Sequence, residues 1–378
     1  MLSGEEVLRV HLKELTLNNY RNYQNISLKF DGGRILFVGR NAQGKTNILE
    51  SIFLTCTGRS HRTPRDSELI RWGQDSCYVK VLVERRVGYN SIEVFLSLKD
   101  KKRIKINGVT IQKLGQLMGH FNAVIFSPED LRLVKEAPSE RRRYMDMEIS
   151  QMKPQYFYNL QQYNRILAHR NNLLKEMNKN PEAKKMLAVF DEQLSEVGAF
   201  IIKQRYEFIE SLSKIAREIH ARISSGAERL DIKYRPSIRA SSLDVGDIRK
   251  EFFAALEKNK SEDIQRGSTG VGCHRDDIGF EINGVDVRVF GSQGQQRTVA
   301  LSLKLSDIEL MYRETGEYPV LLLDDVMSEL DEWRHRRLFE ELGDVQVFVT
   351  ATDLNSIPPR ELEKFHIYEV EEGKVTKR

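Results

Sequence analysis

Gly39-Arg40-Asn41-Ala42-Gln43-Gly44-Lys45-Thr46 spells G-x-x-x-x-G-K-[ST], set between an apolar stretch, Ile35 to Val38, and an apolar helical pattern, Ile48 to Leu54. A strand before and a helix after are the context this loop needs in order to cradle nucleotide phosphate. Gly39 and Gly44 let the backbone curl so that successive N–H groups point inward, and the helix adds the positive end of its dipole. Lys45 is then placed to neutralise β- and γ-phosphates, and the Thr46 hydroxyl to ligate Mg²⁺, a hard ion suited to oxygen.

A second chemical cluster lies far along the chain. Val320-Leu321-Leu322-Leu323 is fully apolar and ends in Asp324-Asp325. A buried strand of this kind presents its carboxylates at the C-terminal edge of a sheet, where open α/β sheets bind ligands. Asp324 is expected to hold Mg²⁺ through its shell, and Asp325 to orient or deprotonate an attacking water. Ser328-Glu329-Leu330-Asp331 follows at once. Upstream, Gly291-Ser292-Gln293-Gly294-Gln295-Gln296 opens a long helix with an apolar stripe of Val299, Leu303, Leu310 and Met311. A hydroxyl and bare backbone at a helix N-terminus form an anion site.

Three further clusters each carry two readings. Arg59-Ser60-His61-Arg62 is a second contact region for nucleotide or an opposite subunit, or a set of cations favouring a helix C-terminus. Lys99, Lys101, Lys102, Arg103 and Lys105 form a phosphate-facing strip, or a solvated edge that protects a strand. His274 beside Asp276 and Asp277 hints at metal, but lacks a matching ligand cluster, and structural hydrogen bonding or an interface contact is the better reading.

Alternating patterns over Val10 to Leu17 and Ile26 to Phe30 predict half-exposed strands leading into the phosphate loop. Asn107-Gly108 and Asn283-Gly284 predict hairpins, the second between Phe280-Glu281-Ile282 and Val285 to Val289. Beyond Pro138-Ser139-Glu140-Arg141-Arg142-Arg143 the sequence turns helical. Tyr156, Leu160, Tyr163, Leu167, Leu174 and Met177 form one stripe, interrupted by Asn178 to Pro181; Leu187, Phe190, Leu194, Val197, Ile201, Phe208, Leu212, Ile215 and Ile219 form another. Spacing near 3.5 predicts an antiparallel, coiled-coil-like hairpin. A helix over 182–223 would reach about 60 Å, a short arm. Asp231 to Ile238 reads as a strand and Val245 to Glu257 as a helix.

With 378 residues the chain is long enough for an α/β domain and a second lobe. The absence of a membrane-length apolar run, and the acidic start without a signal-peptide core, predict a cytoplasmic protein. Cys56, Cys77 and Cys273 lack C-x-x-C spacing, so reduced buried thiols are expected. A net charge of +4 permits a polyanionic partner without demonstrating one.

Taken in order, phosphate loop, helical insert, Ser-Gln-Gly-Gln-Gln, apolar strand with two acids and Ser-Glu-Leu-Asp resemble the ABC-type ATPase head of SMC-like and RecF proteins. Within that class the chain resembles the RecF family, on Asn41 to Asn47, Ser127-Pro128-Glu129-Asp130, His274 to Asp277, Ser292 to Arg297 and Leu323 to Asp331. The resemblance implies an α/β P-loop head over 1–143 and 263–378, with a mainly helical lobe over 144–262. It implies an ATP- and Mg²⁺-dependent DNA clamp in recombinational repair, acting at gapped DNA and single-strand/double-strand junctions with the mediator proteins RecO and RecR. It further implies a head-to-tail, ATP-dependent homodimer in which ATP bound by Gly39 to Asn47 meets Ser292, Gly294 and Gln295 of the other copy, with Ser328 and Asp331 nearby. A transporter's nucleotide-binding subunit would carry a smaller insert, a small-molecule kinase would lack the Ser292 motif, and a structural SMC-like ATPase would need a far longer arm. Relative to the wider class, the second acid is Asp325 rather than Glu, Ser127 stands near where a Gln usually senses Mg²⁺, and Thr352 lies near where a His usually contacts the γ-phosphate. Slow hydrolysis, suited to a switch, is the implied result.

Overall fold

The computed structural model describes residues 10–176, 183–329, 332–343 and 345–378. The chain divides into two compact units, one of Met1–Leu131, Arg222–Gly226 and Ala300–Arg378, the other of Arg132–Ala221 and Ala227–Val299.

The first unit is built on a six-stranded sheet in the order Lys374–Lys377, His366–Glu371, Arg34–Val38, Val347–Ala351, Val320–Asp324 and Ala123–Phe126. All neighbours are parallel except the two C-terminal strands. Near-continuous apolar runs such as Ile35 to Val38 and Val320 to Leu323 suit strands covered on both faces. Phe30 packs edge-on against Phe37, Phe348 and Tyr368, with centroids 5.0 to 6.3 Å apart, so aromatics from three adjacent strands share one core.

A second, antiparallel sheet runs Tyr23–Lys29, His11–Tyr20, Ser76–Arg85, Gly88–Ser97, Arg103–Ile106 and Val109–Thr110. Buried Gln346 clamps it to the parallel sheet: its Oε1 accepts Leu12 N–H at 2.7 Å and its Nε2 donates to Leu12 O at 3.1 Å. The Asn107-Gly108 turn has positive φ at both positions, 50° and 80°, as Asn-Gly predicts. The basic strip of this hairpin is not uniform. Lys102 folds inward onto Gly58 O and Asp66, and Arg103 lies over the Phe95 ring at 4.6 Å.

In the second unit, helices Pro154–Glu176 and Ala183–Ile223 run antiparallel. Tyr156 meets Arg205, Arg170 meets Asp191, and Leu174 clusters with Leu187, so contacts climb one helix as they descend the other. The seam is not apolar throughout. Arg170, absent from the periodic stripe, is fully buried against Asp191, Asp263 and Thr269; Arg205 is buried against Asp146, Asp276 and Cys273 O. Buried charge needs such pairing. Asp263, Cys273 and Asp276 all lie beyond 262, which ties 263–299 to the helices and makes this unit wider than the expected insertion. Met177 and Asn178 to Pro181 lie outside the described residues.

Other bounds shift for local reasons. The helix expected over Val245 to Glu257 runs Val245–Arg266, from an Asp244 cap that accepts Gly246 and Asp247 N–H to a left-handed Gly267. A three-stranded sheet contains Leu230–Arg235, Asp277–Ile282 and Val285–Asp286. The strand expected over Val285 to Val289 stops at Asp286, whose side chain caps Arg288 N–H and starts the short helix Val287–Phe290.

Candidate nucleotide site

Four strand ends of the parallel sheet converge on the phosphate loop. Arg34–Val38 feeds the loop; Val347–Ala351 lies beside it, with Thr350 opposite Phe37; Val320–Asp324 comes next, with Asp324 opposite Thr350; Ala123–Phe126, ending before Ser127, flanks that. The sheet order thus places Gly39–Thr46, Thr350–Thr352, Asp324–Asp325 and Ser127 at one C-terminal edge.

The loop's glycines act for different reasons. Gly44 has φ 117°, and a Cβ there would lie 2.5 Å from the Asn22 amide. Gly39 has no left-handed strain; a Cβ would strike Val370 O at 2.2 Å, so it serves close backbone approach. Positive φ falls instead on Ala42, at 65°. Asn22 braces the loop, donating to Gln43 O at 2.8 Å and accepting from Asn47 Nδ2 at 2.8 Å. Gln43 Oε1 accepts Glu372 N–H at 2.7 Å. Arg40 is exposed. Lys45 opens helix Lys45–Thr57, and its ammonium donates to Gly39 O and Arg40 O across the loop.

Asp324 is buried, and its Oδ1 accepts hydroxyls from Thr46 and Thr350, both at 2.8 Å. Thr350 Oγ1 also accepts Asp325 N–H at 2.9 Å, which fixes the turn in which Asp325 adopts φ 54°. Burial pushes the Asp324 carboxyl above the usual range, although the Thr46 and Thr350 hydroxyls and the Arg62 charge oppose it. Burial likewise pushes Lys45 down, opposed by the charges of Asp325 and Asp324. A hydroxyl and a carboxylate oxygen side by side, beside an ammonium, form a hard-oxygen set that fits Mg²⁺ and a polyphosphate. Thr46 and Asp324 would hold the ion; Lys45 and the loop N–H groups would hold phosphate.

Arg62 departs from the helix-terminus reading of its cluster. Gly58 caps the helix and the last turn carries no basic residue, while Arg62 reaches the first turn, donating to Asn47 Oδ1 at 3.1 Å and lying 3.7 Å from Glu50. Glu50 is fully buried and paired with Arg21 at 2.8 and 2.7 Å and Ser60 at 2.6 Å; despite the upward push of burial, these partners hold its carboxyl low.

Ser127 N–H is used by Asp130 Oδ2 at 2.7 Å, and Thr352 Oγ1 donates to Asp353 at 3.3 Å. Ser328 Oγ donates to Asp325 O at 2.8 Å; Asp331 lies outside the described residues. Ser292, Gly294 and Gln295 belong to the second unit, where exposed Ser292 precedes helix Gln293–Thr315. Its Oγ accepts Gln295 N–H at 3.2 Å and its N–H donates to Gln295 Oε1 at 2.9 Å, a reciprocal cap. His274 is structural: Nδ1 meets Tyr163 Oη at 2.9 Å and Nε2 meets Thr269 O at 3.0 Å, while burial pushes its pKa down to about 4. Among the described residues no His, Cys, Asp and Glu cluster forms a metal site, and no helix is long and apolar enough to cross a membrane.

Sequence reasoning missed Thr350, Asn22 and the inward reach of Arg62. A threonine ending the apolar run Val347-Phe348-Val349 was the one available signal for Thr350.

The family model described as "RecF/RecN/SMC N terminal domain" matches residues 11–375. A protein of Alkaliphilus oremlandii named "DNA replication and repair protein RecF" is 46% identical over 96% of this chain and 99% of its own length. One of the same name from Halalkalibacterium halodurans is 44% identical over 98% and 100%. A solved structure of "the recombination mediator protein RecF-ATP in RecFOR pathway" is 40% identical, covers 98% of both chains and superposes with a TM-score of 0.91. An Smc head domain derived from Pyrococcus furiosus, 16% identical with a TM-score of 0.56, covers 98% of this chain and 96% of its own; it shares the ATPase-head fold.

Proposed function

The chain belongs to the RecF family, and from that premise we propose that it is an ATP-dependent DNA clamp of recombinational repair. The observation that carries this reading is the loop edge where Thr46 bonds Asp324, Thr350 joins Asp324 to Asp325, and Lys45 lies within the field of both acids. Gly39 to Asn47 bind ATP, Thr46 and Asp324 hold Mg²⁺, and Asp325 orients the water that attacks the γ-phosphate.

Two copies pair head to tail, so that Ser292, Gly294 and Gln295 of one close over the γ-phosphate bound by the other, with Ser328 and Asp331 at the same face. ATP closes the dimer on gapped DNA or a single-strand/double-strand junction, where RecO and RecR assist loading of the recombinase. The shorter acid at Asp325, and threonine at Thr352, make hydrolysis slow, a release step in the cytoplasm. The unit of Arg132–Ala221 and Ala227–Val299 carries Ser292, and the unit of Met1–Leu131, Arg222–Gly226 and Ala300–Arg378 carries the Lys45 loop. Support comes from relatives named for DNA replication and repair and from the similar RecF solved with ATP.

The test is the mass of the purified protein with ATP or ADP, with and without a gapped duplex. ATP should give dimers that bind the duplex and ADP should give monomers; monomers throughout would refute the reading.

A further inference from the structure

One carboxylate outside every motif touches the Ser292 cap. Glu228 Oε1 accepts Gln295 Nε2–H at 2.9 Å, and its Oε2 lies 3.1 Å from Nε2 of fully buried His220, near the end of the long helix Ala183–Ile223. The left-handed residues Ser225 and Gly226, with φ of 53° and 77°, follow that helix. Arg229 then exchanges hydrogen bonds with Asn283, at 2.9 and 3.0 Å, which holds Glu228 beside the hairpin leading to Ser292.

A Gln amide can turn either end outward, and its neighbours decide which. An ionised carboxylate only accepts, so Glu228 draws the Gln295 NH₂ toward itself and turns Oε1 toward Ser292 N–H. With that cap fixed, Ser292 Oγ accepts Gln295 N–H and its own hydrogen stays directed to a further acceptor. Such a hydrogen is what a γ-phosphate oxygen from another copy would require.

We propose that Glu228 is the positioning residue of the Ser292 loop, setting the Gln295 amide and, through His220, tying the phosphate-gripping face to the end of the helical arm. This rests on the shared-site reading above, with Ser292 as the group that meets the partner's nucleotide.

Glu228→Gln sets one amide against another. The new side chain has one oxygen where the carboxylate had two, so it serves Gln295 Nε2–H or His220 with that oxygen and turns its NH₂ to the other. The dissociation constant of the ATP-bound dimer should rise about tenfold for each disturbed site, or about a hundredfold for two. ATP affinity of the monomer and thermal unfolding without nucleotide should stay near wild type. Glu228→Gln combined with Gln295→Glu reverses the hydrogen bond while keeping an oxygen for Ser292 N–H. This double variant should recover dimerisation, a coupling that a merely structural role would not produce. The double variant also serves if the single one folds poorly.

Ser292→Arg is measured alongside. If it is monomeric while Glu228→Gln dimerises as wild type, or if the double variant shows no recovery, the positioning role falls alone. If Ser292→Arg dimerises normally, the shared-site reading falls and takes the inference with it.

Discussion

Thr350→Val tests how the loop edge is built. The substitution keeps the side chain's shape but removes the hydroxyl that lies 2.8 Å from Asp324 Oδ1 and 2.9 Å from Asp325 N. Loss of a donor to a buried carboxylate costs roughly 1.5–3 kcal/mol, and an orphaned N–H roughly 1–3 kcal/mol. These overlap, since both groups move together, so a net destabilisation of about 2–4 kcal/mol is expected. Burial already holds Asp324 above the usual carboxylate range, and the variant raises it further. A carboxyl raised in the folded state favours folding when protonated; that contribution is full below its unfolded pKa and is lost as pH rises through the folded value. The deficit of the variant should therefore grow as pH rises. Mg²⁺ needs the ionised form, so as pH falls Mg²⁺-ATP binding should weaken earlier in the variant than in wild type. Urea unfolding of the nucleotide-free protein from about pH 5 to about pH 8 reads the stability part. An unchanged stability, or a deficit independent of pH, would refute the assignment of Thr350 as the donor that supports Asp324.

Asp325→Asn keeps shape and tolerates the left-handed backbone at this position, so ATP should still bind while turnover falls about 10²- to 10⁴-fold and dimers on DNA persist; wild-type turnover would remove Asp325 from the water-orienting role. Lys45→Met replaces the ammonium at the loop centre and should abolish ATP-dependent behaviour in a nucleotide-binding titration, with retained affinity contradicting the cradle. DNA binding should be phosphate-directed and fall on the order of a hundredfold or more between about 50 and 200 mM salt; fluorescence anisotropy on gapped duplexes of different sequence would expose any strong base preference.

The loop and the acidic strand were legible because their signals are local: fixed spacing, a strand before, a helix after. The sheet order was not, because nothing in Val347–Ala351 says that it separates Arg34–Val38 from Val320–Asp324, and without that order nothing in the sequence ties Thr350 to the acidic strand. Gly39 was legible as essential but for the wrong reason, since its constraint is Val370 O, far away in sequence. Arg170 and Arg205 stand in register with the apolar stripes, between Leu167 and Leu174 and between Ile201 and Phe208 at steps of three and four, but charge on a helix ordinarily means solvent; their aspartate partners come from separate helices and from 263–299. Asp286 ended a predicted strand through a side-chain cap, a competition that alternation of apolar residues does not encode.

The central claim is that each ATP is gripped by the Lys45 loop of one copy and Ser292 of another. Its most direct test is the solution mass, in Mg²⁺-ATP, of Ser292→Arg alone, Lys45→Met alone and an equimolar mixture. Each variant alone should remain monomeric, while the mixture should form dimers, because one site then combines an intact Lys45 loop with an intact Ser292. Dimers of Ser292→Arg alone, or a mixture no heavier than its parts, would contradict the account.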